Sequence, residues 1–397
     1  MIFNSFSISR LPRILYGAGR IDELPSLVAG YGQEALLVTG TASFCQSQNW
    51  APLIQAMEAQ GIRWHHLRVS GEPSPALVDD AVQRYGAAQI EVVVAIGGGS
   101  VLDAGKAIAG LLPHGNSVMD HLEGVGRNIE YHGPSLPFIA VPTTAGTGSE
   151  ATKNAVLSQQ GKDGFKKSFR HECLVPGYAV IDPDLLATCP AELIAADGMD
   201  AFTQSLESYV SLKANPLIDA LAWSGIAAVK EGFLDAWRGQ EPMASHGRCA
   251  MAYASLLSGI TLAQVGLGSV HGLASPLGAF FPIPHGVVCG TLVAAATEIN
   301  IRAMRAREAK NPALAKYADV GRFLADQSQA DDEQAWSCLV DLLNSWTEQL
   351  NLPRLNQYGV KERDFDRIVA NSRGSSMTTN PIVLADDEIR EILLVRL

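Results

Sequence analysis

The stretch EVVVAIGGGSVLDAGKAIAG (91–110) limits the possible folds more than any other part of the chain. Its first half is a short, unbroken, β-branched apolar run, as in a strand covered on both faces of a parallel sheet. Three glycines follow, and then a small-residue stretch of helical character. Gly97, Gly98 and Gly99 permit close backbone approach and positive φ, and Ser100 with Asp103 has the spacing of a capping box. A helix is therefore expected from Ser100, with free N–H groups and the positive end of its dipole facing the turn, which makes a phosphate cradle. Taken alone, the GGGS turn reads equally well as a tight corner between strand and helix.

The same alternation recurs up to about residue 183. Strands are expected at 35–40, 63–71, 92–100, 136–144 and 178–183, with helical stretches such as 76–87 and 101–112 between some of them. Alternating β and α segments imply a mainly parallel sheet with helices on both faces. A second small-residue loop, VPTTAGTGSE (141–150), again follows a strand and supplies the hydroxyls of Thr143, Thr144, Thr147 and Ser149. Neither loop is G-x-G-x-x-G or G-x-x-x-x-G-K-[ST]. Two such loops at strand C-termini nevertheless suit a dinucleotide lying across the sheet edge.

From about 184 the texture changes to long Ala- and Leu-rich segments (191–211, 217–236, 243–265, 287–306, 312–327, 331–350) with few β-branched clusters. The expected architecture is a Rossmann-like α/β domain over 1–184 followed by an all-helical domain over 185–397. A formal charge of −11 without a long basic run argues against nucleic acid or an anionic membrane as partner. The six cysteines are scattered, without a C-x-x-C pair, and read as reduced thiols, most of them core packing. The start, MIFNSFSISRLPRILYG, lacks the pattern of a signal peptide. The apolar runs also break well short of the roughly 20 residues needed to span a bilayer. A soluble cytoplasmic protein is the expectation.

A second site is suggested by DGMDAFTQ (197–204) and HGLASPLGAFFPIPHG (271–286). Asp200 and Gln204 lie at i, i+4 on one helical face with an apolar flank, so the face points inward. An inward carboxylate needs a positive counterpart. His271 and His285 could each be a core or capping histidine, and Asp200 a helix cap. The combination of Asp and two His, however, is a common ligand set for a divalent ion with an open position for substrate.

In order and spacing, GGGSVLDAGKA, VPTTAGTGSE, GMDAFTQSLESY and HGLASPLGAFFPIPHG resemble the iron-containing (group III) alcohol dehydrogenase family, and the similarity extends over almost the whole chain. The resemblance implies a cleft between two domains that holds NAD(P) and Fe²⁺ or Zn²⁺, and the reversible oxidation of a small alcohol to an aldehyde or ketone. It implies Asp200, His271 and His285 as three of four metal ligands and Gly97, Gly98, Gly99 and Ser100 as pyrophosphate binders. Thr143, Thr144, Thr147 and Ser149 would line the cofactor, and a homodimer is the expected assembly. Two positions depart from the family pattern. Gln204 stands where a histidine is usual, and its side-chain oxygen is a candidate fourth ligand; Ser275 replaces a histidine of the H-G-x-x-H motif and could still pass a proton.

Lys166 or Lys167 could stabilise a substrate or cofactor anion, or could equally be solvated at the surface. After the ALLVT strand the chain has Gly40, where an acidic residue would bond the ribose hydroxyls of NAD. Its absence removes a barrier to a 2′-phosphate, so the cofactor reading leans to NADP(H), although no Arg or Lys lies within a few positions. That Gly40 only forms the turn and both cofactors bind stays open. Other functions remain: a lyase of the dehydroquinate synthase type, a glycerol dehydrogenase-like metal and NAD enzyme, and a non-catalytic NAD(P)-binding protein whose metal site was lost at Gln204.

Overall fold

The computed structural model describes residues 5–397; residues 1–4, the start of the segment screened for a signal peptide, lie outside it. Among the described residues eight strands form two sheets. β1 (Arg13–Tyr16), β2 (Glu34–Gly40), β3 (Arg63–Val69), β4 (Val92–Gly97), β5 (Phe138–Pro142) and β8 (Tyr178–Ile181) make a parallel sheet in the order β1-β8-β5-β4-β2-β3. β6 (Asn154–Gln159) and β7 (Phe165–Arg170) pair as an antiparallel hairpin. Every residue of β4 is buried, as expected of a strand sandwiched between two layers. Helices on either face complete two apolar cores, one around Val93 and Ala95 and one around Val92, Val94 and Ile96.

After β8 the chain is helical. Long helices run over Ala191–Val210, Pro216–Arg238, Met243–Val265 and His285–Arg307, with the shorter Ser269–Phe280 among them. Their inward faces share one large core. His285–Arg307 has the length and hydropathy of a membrane span, but 89% of its most apolar window is buried inside the protein.

Two features bring the halves together at the strand C-termini. Gly97 of β4 pairs in register with Pro142 of β5, so the two small-residue loops emerge side by side. The second loop then touches the Met243–Val265 helix backbone to backbone. Gly148 holds φ +62°, and a Cβ there would lie 2.4 Å from the Gly259 Cα. Any side chain at either position would force the halves apart.

Candidate active site

The first helix after β4 begins one residue earlier than expected, at Gly99, with Gly98 as its N-cap and no side-chain cap. The Ser100–Asp103 capping box therefore does not form. Ser100 sits inside the first turn, and the Asp103 carboxylate accepts instead from Ser149 Oγ at 2.6 Å and from the Val156 amide at 3.1 Å. Nor do Gly97–Gly99 use positive φ. What the glycines supply is room: a Cβ on Gly98 would meet Thr144 at 3.3 Å and one on Gly99 would meet Thr147 Oγ1 at 2.6 Å. Uncapped N–H groups at a dipole's positive end, facing a hydroxyl-lined loop with no Cβ between them, suit a pyrophosphate.

Sequence reasoning passed over the residue that ties these loops together. Lys106, fully buried, donates to Ser149 O at 2.8 Å, Ser149 Oγ at 3.0 Å, Thr152 Oγ1 at 2.9 Å and Asn154 O at 2.6 Å, with Asp103 at 3.7 Å. Burial pulls its pKa down to about 8.

A cleft of about 580 Å³ runs from this cradle to the helical half. Gly99, Ser100, Asp103, Thr147 and Ser149 line one end; Gln204, His271, Ser275 and His285 line the other. Gly97, Gly98, Thr143 and Thr144 belong to the same two loops without lining the cleft, and Gly40 ends β2, which pairs with β4. Lys166 and Lys167, on β7, also face the cleft; Lys166 pairs with Glu72, and its backbone carbonyl accepts from Ser275 Oγ at 3.2 Å.

At the helical end Asp200 is fully buried. Its Oδ1 lies 3.1 Å from His271 Nε2 and 3.8 Å from His285 Nε2, which unites the three residues picked from the sequence. Its Oδ2 is buried without a hydrogen-bond partner. Burial opposes the carboxylate charge, but His285 and His271 outweigh it and hold the group down to about 2. His285 opens its helix, where burial pushes the imidazole down to about 4 against the pull of Asp200. Gln204 Oε1 accepts from Ser258 Oγ at 2.8 Å.

Two residues here were missed. Glu207 accepts from the amides of Gly268 (2.9 Å) and Val270 (2.7 Å) and from His271 Nδ1 (2.7 Å). With Nδ1–H so engaged, Nε2 is left to face Asp200. Helical spacing could have found it, since Asp200, Gln204 and Glu207 fall at i, i+4 and i+7. Cys289, one turn after His285, places its Sγ 3.5 Å from His271 Nε2 and 3.8 Å from His285 Nε2. Asp200, His271, His285 and Cys289 offer donor atoms all within 4.8 Å of one another. A buried carboxylate with one oxygen against two imidazoles and the other without a partner fits a divalent cation.

Residues 12–183 match the family described as iron-containing alcohol dehydrogenase, and 194–396 match the Fe-containing alcohol dehydrogenase family, C-terminal. Alcohol dehydrogenase 4 of Schizosaccharomyces pombe (strain 972 / ATCC 24843) is 32% identical over 385 residues, covering 95% of this chain and 86% of that protein. The NADPH-dependent butanol dehydrogenase of Clostridium saccharobutylicum is 28% identical over 390 residues, 96% of each chain. The crystal structure of a 1,3-propanediol oxidoreductase superposes with a TM-score of 0.88 at 27% identity, covering 99% of this chain and 100% of that one.

This chain belongs to the iron-containing alcohol dehydrogenase family. It is a metal-dependent, NAD(P)-linked oxidoreductase that interconverts an alcohol and its aldehyde or ketone by hydride transfer. That assignment takes precedence over the lyase and the non-catalytic alternatives.

Proposed function

We propose that residues 1–184 carry the dinucleotide, with its pyrophosphate on the Gly97–Ser100 turn and the Thr143–Ser149 loop. Residues 185–397 carry an Fe²⁺ or Zn²⁺ ion on Asp200, His271 and His285; Gln204, at the position of the family's fourth ligand, is the donor the sequence nominates to complete the set. The supporting observation is one continuous cleft that joins the cradle to the Asp–His cluster. When bound, the ion supplies Lewis acidity to the substrate oxygen and the nicotinamide exchanges the hydride.

The chain's own residues place and insulate that chemistry. Glu207 fixes the His271 ring through Nδ1 and leaves Nε2 inward. Ser275, one turn after His271 and lining the cleft, is positioned to hand a proton between substrate and solvent. Lys166 and Lys167 set the charge of the cleft wall opposite.

NADP(H) is the cofactor we favour. A Cβ on Gly40 would meet nothing within 4 Å, so the position is open, and Gly40 itself brings no acidic group to that corner. The sequence offered no nearby cation, but parallel pairing sets Arg68 of β3 across from Thr39, one residue before Gly40. The active assembly is proposed to be a cytoplasmic homodimer, which sedimentation of the purified protein tests. A panel of alcohols and aldehydes assayed with NAD(H) and NADP(H), with Fe²⁺ or Zn²⁺ added, tests the activity. Turnover that is indifferent to metal removal would overturn the reading.

A further inference from the structure

We infer that Cys289 is itself a metal ligand, so that the ion sits on one carboxylate, two imidazoles and one thiolate rather than taking its fourth donor from Gln204. The inference rests on the metal reading above and deepens it.

Cys289 could be one more core thiol, and in sequence that is how it reads: two valines precede it and a glycine follows. Its surroundings differ from those of a packing residue. It is fully buried, and its sulfur points at two imidazole nitrogens and a carboxylate. The S–H proton can serve only one of the two imidazole nitrogens it faces, and although Asp200 Oδ1 is engaged with His271 Nε2 at 3.1 Å, Oδ2 is buried with no partner. A cation among the four residues takes a lone pair from each, and it displaces the thiol proton.

The spacing agrees. With metal–sulfur near 2.3 Å and metal–nitrogen near 2.0–2.1 Å, the edges of a tetrahedral site are roughly 3.5 Å for S···N and roughly 3.3 Å for N···O. The observed S···N separations are 3.5 Å and 3.8 Å, and the observed O···N separations 3.1 Å and 3.8 Å. The donor atoms thus stand within about half an ångström of those edges. His285 and Cys289 also lie at i, i+4 on one helix, so a single rigid element delivers both.

Gln204, by contrast, already has a use: its oxygen accepts from Ser258, on the helix that packs against the cofactor loop. A sulfur donor also selects for Zn²⁺, Fe²⁺ or Co²⁺ over Mg²⁺ and Mn²⁺.

The test is cobalt substitution of the full-length protein, stripped with chelator and reloaded anaerobically with Co²⁺. Ligand-field bands in the visible report that the ion is bound; a sulfur-to-cobalt charge-transfer band in the near ultraviolet reports a thiolate ligand. The expected result is both sets of bands at one ion per chain, with both lost in Asp200→Asn. Cys289→Ala should lose the charge-transfer band and bind cobalt at least tenfold more weakly, whereas Gln204→Ala should keep the band. Visible bands without charge transfer in the unsubstituted protein overturn the thiolate ligand and leave the metal reading standing. Failure of the unsubstituted protein to bind cobalt at all overturns both. Because the spectrum of the unsubstituted protein decides between them, the test does not depend on the alanine variant folding.

Discussion

Glu207 is the residue whose removal most directly probes how the site is held. Its carboxylate accepts three N–H groups, two from the start of the Ser269–Phe280 helix and one from His271 Nδ1. In Glu207→Ala all three lose their partner, and the imidazole loses the constraint that leaves Nε2 free as a lone-pair donor. Outer-shell partners of this kind are worth about 10–100-fold in metal affinity, or roughly 1.4–2.7 kcal/mol. Glu207→Gln is graded. With its amide oxygen on the side of Gly268 and His271 it keeps both bonds in weaker, neutral form, while its NH₂ meets the Val270 N–H, so affinity should fall toward the tenfold end. Both variants lose some stability, because each leaves a buried donor unsatisfied at about 1–3 kcal/mol. Thermal melting therefore does not separate positioning from simple structural support, but metal affinity does. Competition against a chromophoric chelator measures it. Folded Glu207→Ala that binds metal within twofold of the unsubstituted protein would refute the reasoning.

Gly40→Asp should lower kcat/KM for NADP(H) more than tenfold and spare NAD(H), and Arg68→Ala should lower NADP(H) alone; steady-state kinetics on one substrate with both cofactors decides it. Gly259→Ala drives a methyl to within 2.1 Å of the Gly148 carbonyl oxygen, and chemical denaturation should show a loss of about 1–3 kcal/mol. Burial, with the Asp200 charge added, pushes the Asp197 carboxyl up to about 7 from 3.8. In chelator-stripped protein the native state therefore binds the extra proton, and stability falls as pH rises from about 4 to about 7. Asp197→Asn should match the unsubstituted protein near pH 4 and exceed it at pH 8 by on the order of 4 kcal/mol; parallel denaturation curves at both pH values would contradict that.

The parts legible in the sequence were those whose signal is local. β4, its glycine turn and the following helix lie within twenty residues, and the Ala- and Leu-rich helices announce themselves by period, so both halves of the fold could be expected. The β6–β7 hairpin was overlooked because lysines and serines interrupt its apolar residues, although Ala155, Leu157 and Phe169 are buried from it. The capping box failed for another reason. Ser100 and Asp103 have the right spacing, but Asp103 has stronger partners in Ser149 and Lys106, which come from outside the motif or one turn on. Asp200, His271 and His285 could be picked because their residue types carry chemistry wherever they occur. Cys289 could not, since a cysteine among valines is ambiguous until the fold sets two imidazoles beside it. Arg68 was invisible for a similar reason: it is 28 positions from Gly40, and only strand pairing brings it near.

The contact between Gly148 and Gly259 has a mechanical consequence. The loop that faces the cofactor and the helix that carries Ser258 meet there without a side chain between them, so nothing at that point can repack when the cleft changes width. A change of rotamer cannot absorb a shift there, so the spacing between loop and helix is set by backbone alone, and a substitution at either glycine is felt as a displacement of one half against the other.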